Sequence, residues 1–345
     1  VAEIALDIGF DQISVSHKIM PLIKIVGRGQ TTAVDAYLSP ILFEYIQSVE
    51  KETGSIPLDF MQSSGGMTDA HNFRGKDAIM SGPAGGVIGA AAVAELNGIG
   101  EAIGFDMGGT STDVSRYGGE FEKVVEMETA GIAFQTPSLK INTVAAGGGS
   151  ILWFDGQKMR VGPESAGADP GPVCYGKSGQ LALTDANLFL GRLVPEFFPK
   201  AFGKTYDQPL NEVETRKKIK KITEQINVSL DRNLSPEDVA RGFIRIANET
   251  MASAIKEISV ARGFDARTHA LVCFGGAAAQ HACGIARILS IKKMIIHPMA
   301  GLLSAYGIAM ADQFRYAIHS IVTPYDKDML RKFEIQLNEM AAPLV

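Results

Sequence analysis

The sequence predicts an α/β fold, on three observations. A short apolar strand, Ile103 to Phe105, runs into Asp106 and the tight turn Gly108-Gly109, followed by Thr110, Thr112 and Asp113. A fully apolar run, Ala270 to Phe274, ends in Gly275-Gly276 and opens a helix-forming stretch, Ala277 to Leu289. Small-residue helical runs at 84–96 and 302–312 flank these strands. Strands interleaved with helices in this way build a sheet covered by helices.

The elements follow in order. Residues 1–97 mix an extended region with helices. Thr32 to Lys51 has helical character, with Pro40 as an interruption or a fresh start. Leu58 to Gln62 reads as a strand ending in the glycine loop Ser63 to Gly66. The segment Ser81 to Gly86 is a Gly-rich entry to a helix over Val87 to Leu96; it suits an anion site or a hinge, or plain close packing of helices.

From 103 to about 190 the pattern is mostly β. Phe121 to Met127 is a candidate strand, as are Ile141 to Ala145 and Ile151 to Asp155, with the loop Ala146 to Ser150 between the last two. Residues 162–179 are too rich in Gly and Pro for regular structure and read as a long ordered loop. Glu164 and Asp169 are its ionisable residues best suited to a ligand, although both also suit turns. Cys174 has no local activating partner and reads as buried filler.

The basic run Arg216 to Lys221 is the solvated face of a surface helix whose Ile219, Ile222 and Ile226 turn inward. Ser235-Pro236-Glu237-Asp238 starts a long helix, with Ser as N-cap and Pro at the first position; Gly263 is its stop. Met294 to His297 is a further strand, Leu302 to Asp312 a small-residue helix, and Asp326 to Met340 a charged helix.

A chain of 345 residues accommodates two or three domains. A net charge of −5 gives no electrostatic reason to expect a nucleic acid or a membrane surface as partner. Three cysteines without C-x-x-C spacing suggest neither a zinc ribbon nor a disulfide scaffold, and a reducing cytoplasm fits. The apolar runs are broken by Gly, His or charge, so no membrane-spanning helix is expected. The chain opens on Val1 without an initiator Met and reads as part of something larger.

The turn after Phe105 carries the chemistry. Two glycines let backbone approach a phosphate and adopt positive φ, and successive N–H groups in such a turn form an anion site. Hydroxyls at Thr110 and Thr112 can donate to phosphate oxygens, and the Asp106 and Asp113 carboxylates can hold a hydrated Mg²⁺. A hairpin in which Gly-Gly merely turns is the competing reading. Gly275 and Gly276 leave room for an adenine or ribose, because no Cβ intrudes. His281 and His297 are polar candidates; His281 equally suits a satisfied core position.

A strand–Gly-Gly–Thr loop followed, after a helical insert, by strand–Gly-Gly–helix resembles the actin/Hsp70/sugar-kinase ATPase fold. Within it the chain resembles the hydantoinase A/5-oxoprolinase family, over about residues 10–325. The likeness rests on Ser81 to Gly86, Gly104 to Val114, Thr143 to Ser150, Gly162 to Pro172, Thr184 to Asn187, Phe274 to Gly276 with Gln280 to Ala282, and Gly301 to Ala305. Asp113 to Tyr117 with Gly119 to Glu122 is most similar to the N-terminal half of eukaryotic-type 5-oxoprolinases.

The resemblance implies a mixed sheet flanked by helices in ATPase lobes. No second phosphate loop of this type precedes Ala102, so the first N-terminal lobe is expected to be missing. Residues 1–97 would be the remainder of that lobe and a connecting helix. Residues 98–320 would be the ATPase core, with a helical insert near 197–262, and 321–345 a tail toward a region beyond this chain. The implied activity is ATP-dependent opening of the cyclic amide 5-oxo-L-proline to L-glutamate, in glutathione metabolism. A hydantoinase, an ATP-dependent ketone carboxylase subunit, and a non-catalytic ATP-binding or assembly lobe are the alternatives. The implied cofactors are ATP and Mg²⁺, with Asp106 in the metal shell. Gly108, Gly109, Thr110 and Thr112 would line the phosphates, and Gly275 and Gly276 would flank adenosine. Asp113, Glu164 and Asp169 complete the catalytic candidates, with Asp185 and His281 behind them. The implied partners are a hydantoinase B-like half and further copies of the chain.

Overall fold

The computed structural model describes residues 1–129, 131–314, 316–322, 324 and 329–342. The chain divides into two compact units: residues 1–88, 122–140 and 307–345, and residues 89–121 with 141–306. The division falls inside the helix Ser81–Leu96.

The first unit is built on the helix Ile25–Thr53, which runs through Pro40 without a break. The sequence expectation of an interruption there is corrected, and the reason is tertiary. Polar groups at helical spacing tie one face down: Gln135 N donates to Thr31 Oγ1, Lys76 N to Asp35 Oδ1 and Gly75 N to Ser39 Oγ. A short hairpin pairs Asp59–Met61 with Met67–Asp69, and a longer one pairs Lys123–Thr129 with Ile132–Leu139. The helix Met329–Ala341 covers most of the charged helix expected over 326–340, whose first residue, Asp326, lies outside the described residues.

The second unit holds a five-stranded mixed sheet. Its order across the sheet is Lys293–Ile296, Ala270–Phe274, Ala102–Met107, Thr112–Tyr117, Ile141–Val144. The first three strands run parallel, and the last two pair antiparallel in sequence. Alternate residues point to opposite faces, and both faces are covered. Ile103, Phe105, Met107, Leu271 and Cys273 share one core with Phe243, Ala247, Met251 and Ile255 of the helix Pro236–Ile258 and with Ala282 and Ile285 of the helix Ala279–Leu289. Ala102, Val272 and Phe274 face the other way, onto Ala90, Val93 and Ala94 and onto Leu303.

Several local expectations change. The glycines Gly82, Gly85 and Gly86 lie inside the helix Ser81–Leu96 rather than in a loop before it. Residues 162–165 belong to a strand, Met159–Ser165, paired with Ser150–Phe154. Cross-strand pairing there outweighs the local bias of Gly and Pro. The long helix ends at Ile258, and Gly263, with φ 85°, closes the 3₁₀ turn Val260–Arg262 that follows it. Ser235 caps the helix as expected, accepting from Asp238 N at 3.1 Å. Among the described residues, no helix is long and apolar enough to cross a membrane.

Candidate functional site

The site is built where the strand Ala102–Met107 turns back into Thr112–Tyr117. Antiparallel register sets Asp106 directly opposite Asp113, and Met107 opposite Thr112. The pleat then sorts the side chains. Asp106 and Asp113 share one face of the sheet; Met107 and Thr112 share the other, toward the core. Two carboxylates opposite each other at cross-strand spacing repel.

Their titration reflects this. Burial, and then the charge of Asp113, raise the Asp106 pKa to about 6. Burial also raises that of Asp113, against a 2.6 Å hydrogen bond donated by the Thr143 hydroxyl, which lowers it. Thr143 lies opposite Asp113 on the edge strand. A pair of half-buried carboxylates with one oxygen already occupied is a donor set suited to a hard divalent cation that keeps several waters. Among the described residues no group of three or more His, Cys, Asp or Glu stands where it could hold a metal ion.

The turn itself differs from expectation in one respect. Neither Gly108 nor Gly109 has positive φ. What distinguishes them is space: a Cβ on Gly108 would meet nothing closer than Ser111 O at 3.9 Å, and one on Gly109 nothing within 4 Å. Gly109 and Thr110 are exposed. Thr112, by contrast, is fully buried and donates to Ala146 O at 2.5 Å, with Met251 Sδ at 3.4 Å. Its hydroxyl ties the turn to the next loop from behind.

That next loop, Gly147 to Gly149, is the component the sequence did not assign. Gly148 N donates to Gly108 O at 3.0 Å and Gly149 N to Gly109 O at 2.6 Å. A Cβ on Gly147 would stand 2.6 Å from Gly109 C, so only glycine allows this approach. The loop is held in turn by Thr184, whose N and Oγ1 both donate to Gly148 O at 2.8 Å.

Gly275 closes the site from the parallel neighbour. Its φ is 83°, and a Cβ would lie 2.3 Å from Asp106 Oδ1 and 2.6 Å from Met107 O. Ala277 N donates to Met107 O at 3.0 Å, so the second glycine loop rests on the first. At Gly276 a Cβ would meet nothing within 4 Å. The structure thus brings together Asp106, Gly108, Gly109, Thr110, Asp113, Gly275 and Gly276.

The remaining candidates stand elsewhere or are engaged. Glu164 is exposed on the strand Met159–Ser165. Asp169 is exposed and paired with Lys177 Nζ at 3.2 Å. Asp185 is buried and accepts from Val173 N, Cys174 N, Ala182 N and Thr215 Oγ1, making it a clamp on the surrounding loop. His281 is fully buried between Asn248 Oδ1 at 2.7 Å and Asn187 Nδ2 at 3.0 Å. Burial and the Arg192 charge lower its pKa to about 3, so it is a neutral core histidine. His297 lies against the ring of Tyr306.

The family model described as hydantoinase/oxoprolinase matches residues 28–316. The chain is 48% identical to the 5-oxoprolinase of Dictyostelium discoideum, covering 99% of this chain and 28% of that protein. It matches the crystal structure of an ATP-dependent caprolactamase from Pseudomonas jessenii with a TM-score of 0.84 at 33% identity, over 99% of this chain and 50% of that one. Acetone carboxylase in its nucleotide-free form matches with a TM-score of 0.74 at 26% identity, over 95% of this chain and 47% of that one. The chain spans about a quarter of the length of the curated 5-oxoprolinases it matches.

Proposed function

Because this chain belongs to the hydantoinase/oxoprolinase family, we propose that it carries the nucleotide-phosphate site of an ATP-dependent opening of 5-oxo-L-proline to L-glutamate. The observation that carries this reading is the in-register Asp106–Asp113 pair beneath the open Gly108-Gly109 turn. In balance, the lactam, ATP and two waters become glutamate, ADP and phosphate, one water opening the ring and the other releasing the phosphate. A five-membered lactam is resonance-stabilised and recloses, so its opening needs an energy source.

Mg²⁺–ATP, when bound, would supply a phosphoryl group for the lactam oxygen and so make the ring carbon open to attack by water. The chain's own residues position and neutralise, which is the main requirement of phosphoryl transfer. Asp106 and Asp113 are assigned to hold the hydrated cation, with Thr143 orienting Asp113. Gly108, Gly109 and Thr110 are assigned to the phosphates, while Thr112 fixes the turn from the core. Gly275 and Gly276 are assigned to adenosine. Glu164 and Asp169 remain candidates for the substrate side.

The length of the relatives supports a hydantoinase B-like half as partner, and self-association is proposed with it. Three free cysteines fit a reducing cytoplasm. The domain reading places the ATPase core at 98–320.

ADP release by the chain, alone and with a hydantoinase B-like half, tests the reading. Release should be stimulated by 5-oxo-L-proline and abolished by Asp106→Asn. Stimulation only by a hydantoin, or only by acetone with bicarbonate, would reassign the substrate. Calorimetric binding of Mg²⁺–ATP without turnover in the joined protein would favour a non-catalytic lobe.

A further inference from the structure

We infer that a cavity of about 490 Å³ in the unit formed by residues 1–88, 122–140 and 307–345 binds a compact organic carboxylate. The inference stands on that unit alone and is independent of the nucleotide reading. The volume is that of a small-molecule site. Its lining includes three cations, Lys18, Arg74 and Lys76, against one carboxylate, Asp77, which leaves an excess of two positive charges.

Lys76 is the anchor. It is 7% exposed, yet its ammonium is held in place, 2.6 Å from Asp77 Oδ1 and 3.1 Å from the Tyr316 hydroxyl. Tyr316 in turn donates to Asp77 Oδ1 at 2.9 Å, and the Thr136 hydroxyl donates to the same oxygen at 3.0 Å. An ammonium has three donors, and these contacts use two. Burial alone would lower the Lys76 pKa, but Asp77 and Tyr316 together raise it above its ordinary value, so the charge persists.

A buried ion pair adds little stability over well-packed apolar residues. Here it borders a cavity, and two exposed cations line the same cavity. Met20 and Phe314 supply apolar wall, and Gln62 an amide. One fixed ammonium, two adjustable cations and an apolar wall match a small body bearing one carboxylate. Inorganic phosphate would use the cations and leave the wall bare.

Isothermal titration of the full chain without nucleotide tests this. The probes are 5-oxo-L-proline and cyclopentanecarboxylate as carboxylates, 2-pyrrolidinone as a neutral ring, and inorganic phosphate. Saturable binding of at least one carboxylate is expected, with 2-pyrrolidinone about tenfold or more weaker, as loss of a charge-assisted hydrogen bond implies. Lys18→Ala and Arg74→Ala should each weaken carboxylate binding about threefold or more while leaving the melting temperature unchanged. Asp106→Asn should bind the carboxylate as the parent does, which separates this site from the nucleotide turn. Failure of both carboxylates to bind would overturn the inference. So would equal binding of 2-pyrrolidinone, equal or tighter binding of phosphate, insensitivity to both cation substitutions, or loss of binding in Asp106→Asn.

Discussion

Replacing Asp106 with asparagine should stabilise the unit that carries the nucleotide turn while removing the turnover proposed for it. The Asp106 carboxylate is half-buried and opposite Asp113, and its pKa is raised from 3.8 to about 6 by burial first and the Asp113 charge second. An acid with a raised pKa in the folded state binds its proton more tightly when folded. Stability from this group is therefore fully present below about pH 4 and is lost as pH rises through about 6. At ~1.4 kcal/mol per pH unit the whole difference amounts to ~3 kcal/mol. The side chain keeps partial contact with solvent, and screening reduces this to ~1–2 kcal/mol. Asparagine keeps the shape and cannot ionise. In a unit of this size ~1 kcal/mol moves the melting temperature by ~2–4 °C. Asp106→Asn should accordingly melt ~2–8 °C above the parent near pH 7.5 and within about a degree of it near pH 4. Differential scanning calorimetry without nucleotide reads this directly. A variant that melts lower than the parent near pH 7.5, or higher by the same amount at both pH values, would refute the electrostatic argument.

Two further outcomes follow from packing. Gly275→Ala forces a left-handed residue to carry a Cβ 2.3 Å from Asp106 Oδ1, and should cost ~3 kcal/mol in urea denaturation, whereas Gly276→Ala, with nothing within 4 Å, should cost under ~1 kcal/mol; equal losses would contradict the close approach. Burial raises the thiol pKa of both Cys174 and Cys273, the latter to about 12, while Cys283 is exposed; a thiol reagent near neutral pH should therefore label Cys283 alone until the chain is unfolded, and rapid labelling of either buried thiol would count against the packing described.

Much of the site was legible because its signals are local. Apolar strands, paired glycines and the Ser235 cap each announce themselves within a few residues. What was missed depends on register or on distant partners. The expectation for Thr112 treated both hydroxyls of the turn alike. Once Asp106 and Asp113 are opposite each other, strand alternation sends Thr112 to the core face, and that parity was available in the sequence had the hairpin register been fixed. Thr143 carries no local mark; it matters only because the edge strand sets it opposite Asp113. The glycines at 147–149 look like an ordinary loop, and the need for glycine at Gly147 arises from Gly109, 38 residues away in sequence. Pro40 shows the opposite error. The local rule for proline was correct in kind, but polar anchors at Thr31, Asp35 and Ser39 outweighed it.

The two units are threaded rather than consecutive, since the chain passes between them at 88/89, 121/122, 140/141 and 306/307. During synthesis, neither unit can finish folding when its first segment emerges. The N-terminal one must wait for residues 307 onward, including the Phe314 and Tyr316 that line its cavity. Its interior is then an unfinished surface while residues 141–306 are made, a period in which chaperone protection has most to offer. The same threading means that no single cut yields either unit whole, so an isolated nucleotide-turn unit would have to be made from two peptides or a rewired chain.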